Sequence, residues 1–528
     1  MTLTPWWHGA VLYHVYLRSF RDLDGDGYGD IAGLIDSLDH LESLSVDAIW
    51  LSPTTPSPDR DWGYDVSDYT NVHPQLGSLA QLDELIALAR GKGMRVLLDL
   101  VPNHTSDRHP WFIDAQSSRD SAHRDYYMWA DPRPDGSPPN NWLDDTGEPA
   151  WQWDGATGQY YFHNFLPEQP ELNWRNPAVH REFDKIMDFW FDKGVAGFRI
   201  DVANGFYKDE ALRDNPSNDE RLPGVLYQPG KHGQQTVYNF NQPEVHQVYR
   251  DWRIRAEQRG AAGGEVPLLL GETWVLHPSQ LADYYGNNDQ LQLAFNFPLI
   301  FADFGAQTFA SLIDETFAGI PQGACPIWAG SNHDLSRLGT RWAAGDIAKM
   351  RLIHTVLAML PGAFGLYYGD ELGMPDSDIP VGLQRDPLTL GGKNGSWPRD
   401  NARSPMRWDD SELGGFTTGK PWLPLHPDRS LNVAGQDADP FSTLNYIRSL
   451  LALRRQVHGG RLNRYRQLAA TDTLFAYESG DARVYANFSD GIQTAHPVWT
   501  VALSTLGKPI AAAGAYELQP WEAIVALR

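Results

Sequence analysis

A chain of 528 residues with a formal net charge of −24 lacks the basic face that nucleic acid or an anionic membrane requires as a partner. Hydrophobic residues at 42% and twenty tryptophans indicate large folded cores over two or three domains, and the aromatic content suits stacking on a neutral carbohydrate as well as core filling. The single cysteine, Cys325, excludes an intrachain disulfide, residues 1–10 lack the basic-then-apolar order of a signal peptide, and no apolar run approaches the roughly 18 residues of a membrane span, so a cytoplasmic location is expected.

Short apolar runs alternate with amphipathic stretches. Residues 11–17 predict a first strand, and 31–45 a helix with Leu34, Leu38, Leu41 and Leu44 on one face. A second strand follows at 47–51, a helix at 79–92 and a third strand at 94–100. From about 104 to 174 the chain is rich in Trp, Pro, Gly and Asp and carries no helical period. Asn176 and Pro177 then supply the cap and first turn of a helix over 177–193, whose Phe183, Ile186, Met187, Trp190 and Phe191 share a face. Further strands are expected at 195–201, 268–272, 292–297, 326–331 and 363–368, with a helix at 348–360. Eight such units predict an α/β fold, a (β/α)8 TIM barrel. Residues 374–408 form a second irregular stretch, and short runs at 474–479 and 482–488 predict a small all-β domain. The expected organisation is barrel at 1–103, an inserted subdomain at 104–174, barrel again at 175–457 and a C-terminal β-sandwich at 458–528.

Three carboxylates fall just after predicted barrel strands: Asp201, Glu272 and Asp334. Side chains at the C-terminal ends of such strands converge on one site. Arg199 lies two residues before Asp201 on the same side of the strand, and an adjacent guanidinium is expected to keep that carboxylate ionised. Glu272 follows the apolar run 267–271, where desolvation is expected to keep it protonated. A carboxylate nucleophile paired with a carboxylic acid is the arrangement for glycoside cleavage, with Asp334 free to grip sugar hydroxyls.

Four segments, Asp99-Leu-Val-Pro-Asn103-His104, Gly197-Phe-Arg199-Ile-Asp201, Gly271-Glu272-Thr273 and Ser331-Asn-His333-Asp334, stand in the order and spacing of the four blocks of the α-amylase family, glycoside hydrolase family 13. The chain resembles the α-glucosidase and oligo-1,6-glucosidase branch of that family, and Gln169-Pro-Glu-Leu-Asn173-Trp174 resembles a fifth block, with Glu171 where Asp is usual. The resemblance implies that Asp201 is the nucleophile, Glu272 the acid/base and Asp334 the transition-state stabiliser. It implies that Tyr64 and Asp65 of Gly63-Tyr64-Asp65, with His104, Arg199 and His333, hold the terminal glucose, that Phe165 flanks it, and that Arg403 lines the entrance. Val202, after the nucleophile, resembles the residue of enzymes favouring α-1,6 links, where Thr goes with α-1,4.

Asp22, Asp24, Asp26 and Asp30 alternate around Gly27 like the start of an EF-hand loop, but the twelfth position is Gly33, not the bidentate Glu. The family resemblance implies instead one structural Ca²⁺, with Mg²⁺ as alternative occupant, on Asp22, Asp24, Asp26, Asp30 and the Tyr28 carbonyl. The expected activity is that of a retaining exo-acting α-glucosidase on a small α-glucoside, with transglucosylation. A sucrose- or trehalose-type isomerase of the same family is the first alternative. A non-catalytic partner-binding relative is the second; such relatives have lost catalytic acids that this chain keeps.

Overall fold

Side-chain alternation along parallel strands decides what faces the centre of the molecule. The computed structural model describes residues 5–222, 230, 232–388, 398–507 and 514–528. Eight parallel strands share one sheet: β1 (Val11–Val15), β2 (Ala48–Leu51), β3 (Arg95–Leu100), β4 (Gly197–Ile200), β5 (Leu268–Gly271), β6 (Leu293–Ala294), β7 (Ile327–Ala329) and β8 (Ala363–Tyr367). They neighbour one another in the order β7-β8-β1-β2-β3-β4-β5-β6, and an isolated parallel bridge between Phe295 and Ile327 joins the two ends. Leu12, Trp50, Leu97, Leu268, Leu270, Leu293 and Ile327 fill the interior. Their neighbours Tyr13, Ile49, Leu98, Phe198 and Leu269 point outward against the helices. The TIM barrel expected from the sequence is the fold of this chain.

Several elements depart from their predicted bounds. The single helix expected over 31–45 is two, Ile31–Asp36 and Leu38–Ser43. Ser37 breaks it, its hydroxyl donating back to the Gly33 carbonyl (2.8 Å), a bond that competes with regular helix. The sixth strand ends at Ala294 because the Asn296 side chain caps a short helix, Phe297–Ile300. The insertion, expected to lack helix, contains one at Pro110–Ser117, started by Pro110 and capped by His109. Only Phe112 and Ala115 of it are buried, too few to leave a readable period. The insertion also holds an antiparallel three-stranded sheet, Trp129–Ala130, Gln159–Phe162 and Trp151–Asp154 in that spatial order.

Residues 398–408, closing the second irregular stretch, hold a 3₁₀ turn at Arg399–Ala402; positions 389–397 of that stretch lie outside the described residues. At the C-terminus a five-stranded antiparallel sheet, starting at Tyr465–Ala470, is accompanied by a two-stranded ribbon, Gln493–Ala495 with Tyr516–Leu518. One face of the sheet packs on the barrel through Phe475, Tyr477 and Val525, and Ala476, Tyr485 and Ile524 of the other pack with the ribbon's Ala495, Tyr516 and Leu518. Among the described residues no helix is long and apolar enough to cross a membrane.

Candidate active site

The inward register of β3, β4 and β5 brings Asp99, Arg199 and Leu270 into one layer. Asp201 and Glu272 stand one step beyond, where the strands end. Arg199 is the hub. Its Nη1 donates to Asp99 Oδ1 (2.8 Å) and Asp201 Oδ1 (2.6 Å), and its Nη2 lies 2.8 Å from Glu272 Oε1. The guanidinium sits over Trp50 and Tyr64, 5.3 and 5.8 Å from their ring centres, an arrangement open to a planar cation.

One cation facing three buried carboxylates leaves the cluster short of positive charge. Burial pushes the Asp99 carboxyl up to about 7 against the pull of Arg199. The same desolvation raises Asp201 well above the usual carboxylate range, with Arg199 opposing it and the charges of Glu272 and Asp99 adding to it. This corrects the expectation that Arg199 alone keeps Asp201 ionised: its charge is divided among three carboxylates. Glu272 is held from both sides, by Arg199 and the Trp274 indole N–H (3.1 Å) on Oε1 and by the Val202 amide (3.0 Å) on Oε2.

Asp334 has the opposite environment. Burial raises it, but Arg399 (3.2 Å) and Arg403 (3.0 Å) on Oδ1 outweigh burial and hold it below the usual range. His333 is fully buried, stacked on Tyr64 at 5.3 Å, and burial pushes its ring well down, so it is neutral. Its Nε2 lies 2.5 Å from the Tyr64 hydroxyl, which donates to Asp99, and 3.2 Å from Asp334 Oδ2. His104, lowered by burial to about 3, faces the Tyr64 carbonyl and Gln169, and Phe165 lies 5.3 Å from its ring. The structure therefore gathers Tyr64, His104, Arg199, Asp201, Glu272, His333 and Asp334 at one end of the barrel.

Two expected sugar contacts are not where the sequence puts them. Asp65 is fully buried and accepts from the Ser57 hydroxyl (2.7 Å) and the amides of Asp61 (3.0 Å) and Arg60 (3.1 Å). Its carboxylate is spent on fixing that loop. Asp61, also buried, is bonded instead to Arg399 (2.6 Å), which reaches Asp334, and to Gln169 (3.2 Å). Arg403 is buried beneath the site, donating to the His333 carbonyl and Asp334, not at an entrance. Arg399, which the sequence reading passed over, clamps Asp61, Asp386 and Asp334 together. Val202 does not end a strand. Its φ of 45° is a left-handed conformation uncommon for a β-branched residue.

Behind the site, Lys208 is buried against Glu171 and Asn103, and its ammonium also contacts the Gly205 carbonyl. Asn103 Nδ2 donates to Glu171 in turn (2.8 Å), so this pair ties the insertion to the barrel. In the loop after β1, oxygens of Asp22, Asp24 and Asp30 lie within 4.8 Å of one another, an all-oxygen donor set that suits a hard divalent cation. Asp26 stands apart from that trio and accepts from the Tyr28 amide (2.8 Å) and Gln75 (3.2 Å).

The family model described as alpha amylase, catalytic domain, matches residues 14–459. A probable alpha-glucosidase of Rhizobium meliloti (strain 1021) is 40% identical over 471 residues, covering 85% of this chain and 82% of that one. An oligo-1,6-glucosidase of Parageobacillus thermoglucosidasius is 36% identical over 489 residues, covering 85% and 84%. Among solved structures, the alpha-glucosyl transfer enzyme XgtA superposes with a TM-score of 0.91 at 35% identity over 99% of both chains. The trehalulose synthase MutB from Pseudomonas mesoacidophila MX-45 gives 0.88 at 31%, over 99% of both.

Proposed function

The chain belongs to the α-amylase family and is a glycoside hydrolase; from that premise we propose that it is a retaining, exo-acting α-glucosidase releasing glucose from short α-glucosides. Asp201 attacks the anomeric carbon as the glycosidic C–O bond breaks, and Glu272 gives its proton to the departing oxygen. Water then loses a proton to Glu272 and attacks the same carbon, freeing Asp201. Asp334, kept anionic by Arg399 and Arg403, offsets the positive charge that develops on the sugar. The observation that carries the reading is the single Arg199 guanidinium touching Asp201 and Glu272 at once. It favours the close spacing of retaining enzymes, about 5–5.5 Å, over the wider one that admits a water between the acids. The Asp61–Arg399–Asp386 clamp supports a pocket closed beyond one sugar, hence exo action. In an NMR time course on nitrophenyl α-glucoside, whose only sugar product is the transferred glucose, the first glucose is expected as the α-anomer; fresh β-glucose overturns the retaining assignment.

Likeness to a glucosyl transfer enzyme and a trehalulose synthase favours transfer to a sugar acceptor as a second outcome of the same glucosyl-enzyme. Side-chain choice at Val202 leans slightly to α-1,6 links. If it reads the linkage, Val202→Thr shifts the isomaltose-to-maltose ratio of kcat/KM; an unmoved ratio removes that role. The loop at 22–30 is assigned one structural divalent ion, Ca²⁺ or Mg²⁺, on Asp22, Asp24 and Asp30, supported by their convergence, with Asp26 and the Tyr28 carbonyl beside them on the same loop.

A further inference from the structure

Glu272 has two oxygens, and the structure treats them differently. A carboxylate oxygen offers about two acceptor positions. At Oε1 both are occupied, by the Arg199 guanidinium (2.8 Å) and the Trp274 indole N–H (3.1 Å). A proton there would point at two donors. At Oε2, among the described residues, one donor is present, the Val202 amide at 3.0 Å, and one position remains.

We infer that Oε2 is the oxygen of Glu272 that carries and delivers the proton, and that the Trp274 indole and the left-handed Val202 amide are the positioning groups that select it. The inference rests on the acid/base role proposed for Glu272. In the step itself the Oε2–H bond breaks, its proton joins the departing glycosidic oxygen, and the electron pair of the breaking C–O bond stays on that oxygen. The negative charge left on Glu272 is then shared with Oε1, where two donors already wait, so little reorganisation is needed.

Both positioning groups are built in. Trp274 stacks on Phe297 at 4.6 Å with an interplanar angle of 22°, and its carbonyl accepts from the Asn204 side chain (3.1 Å). Phe297 is fully buried and starts the short helix that cut β6 to two residues. Val202 adopts φ 45°, where a branched side chain costs free energy, and that turn aims its N–H at Glu272. The half-buried Trp274 ring, with Phe301 5.4 Å away and 43% exposed, also provides an apolar wall beside the acid.

The test compares wild type with Trp274→Phe, which keeps the stack and removes the donor, and Trp274→His, which restores a ring N–H. The charged groups facing Glu272 are Arg199 from β4, Asp201 just after it and Asp99 from β3, and both substitutions leave them in place. A donor to a carboxylate favours its ionised form. Trp274→Phe is therefore expected to move the alkaline limb of kcat/KM to higher pH and to steepen the dependence on leaving-group basicity. The loss should be about tenfold on maltose and less than about twofold on nitrophenyl α-glucoside, with partial recovery in Trp274→His and an unchanged thermal midpoint in all three. Equal losses on both substrates with an unmoved alkaline limb overturn the inference and leave Trp274 as a wall alone. A wild-type enzyme inert toward both glucosides overturns the glucosidase reading itself, and the inference with it.

Discussion

At the scale of single residues, the most instructive pair is Asp61 and Asp65. Both stand in one five-residue motif, Asp61-Trp-Gly-Tyr-Asp65, and the sequence offers no periodicity to say which joins the cluster around Asp334. The backbone decides it. Trp62 at φ 49° and Gly63 at φ 103° reverse the chain between them, so Asp65 turns back to cap the loop and Asp61 meets Arg399. Arg399 and Arg403 are separated by a 3₁₀ turn in the same way. Asp201 and Glu272 were legible because each directly follows a strand whose register is fixed by burial; Asp334, five residues beyond β7, was legible only through its motif, since loop residues have no such register. Asp61→Asn is expected to lower kcat/KM about tenfold to a hundredfold, the worth of one charge-assisted hydrogen bond at ~1.5–3 kcal/mol, with little change in Tm. Asp65→Asn is expected to do the reverse, lowering Tm and sparing kcat. Burial raises Asp65 to about 6, so below the ordinary carboxylate range both folded and unfolded chains hold the proton. Its contribution to stability fades as pH rises from about 4 through 6. The Tm difference between wild type and Asp65→Asn should therefore narrow over that interval; a gap that widens removes the assigned protonation.

Between elements, the junction that matters is the one where the insertion meets the barrel. Lys208 and Glu171 are both fully out of solvent, and Glu171 is raised by burial while Lys208 and Asn103 pull it back. Removing one partner of such a pair strands a buried charge, at a cost of about 3–5 kcal/mol. Lys208→Met should lower Tm sharply, and the double substitution Lys208→Met with Glu171→Gln should recover much of the loss. A single variant as stable as wild type would mean that the ammonium does not hold the junction. The departure from the usual Asp to Glu171, visible in the sequence, gained a meaning only when Lys208, 37 residues on, was seen to meet it. Broken helices were illegible for a related reason. Ser37 sits in a run whose leucines keep helical spacing on both sides, and the hydroxyl that interrupts it adds no pattern of its own.

On the scale of the whole molecule, the order of strands, the place of the insertion and the β-rich C-terminus all followed from spacing and apolar runs, since barrel topology is a matter of count and sequence order. The loop at 22–30 reaches across the fold: the Asp22 amide donates to the Phe416 carbonyl (2.8 Å), the Thr417 hydroxyl to Asp22 Oδ2 (2.5 Å) and the Trp422 amide to the Gly27 carbonyl (3.0 Å). An ion there would clamp residues some 390 positions apart, as the Thr417–Asp22 bond already spans 395. Chelation should accordingly lower Tm while sparing the initial rate at low temperature; immediate loss of activity with the fold intact would instead place the ion in the chemistry. The barrel itself is unevenly sewn. Seven of its junctions are ladders, while β6, two residues long, meets β7 through the lone Phe295–Ile327 bridge. A ring with one loose stitch breathes there first, so deuterium should enter the amides of 293–297 ahead of the other barrel strands. That stitch lies beside Phe297, on which Trp274 stacks, so an opening there would also loosen the ring whose N–H reaches Glu272.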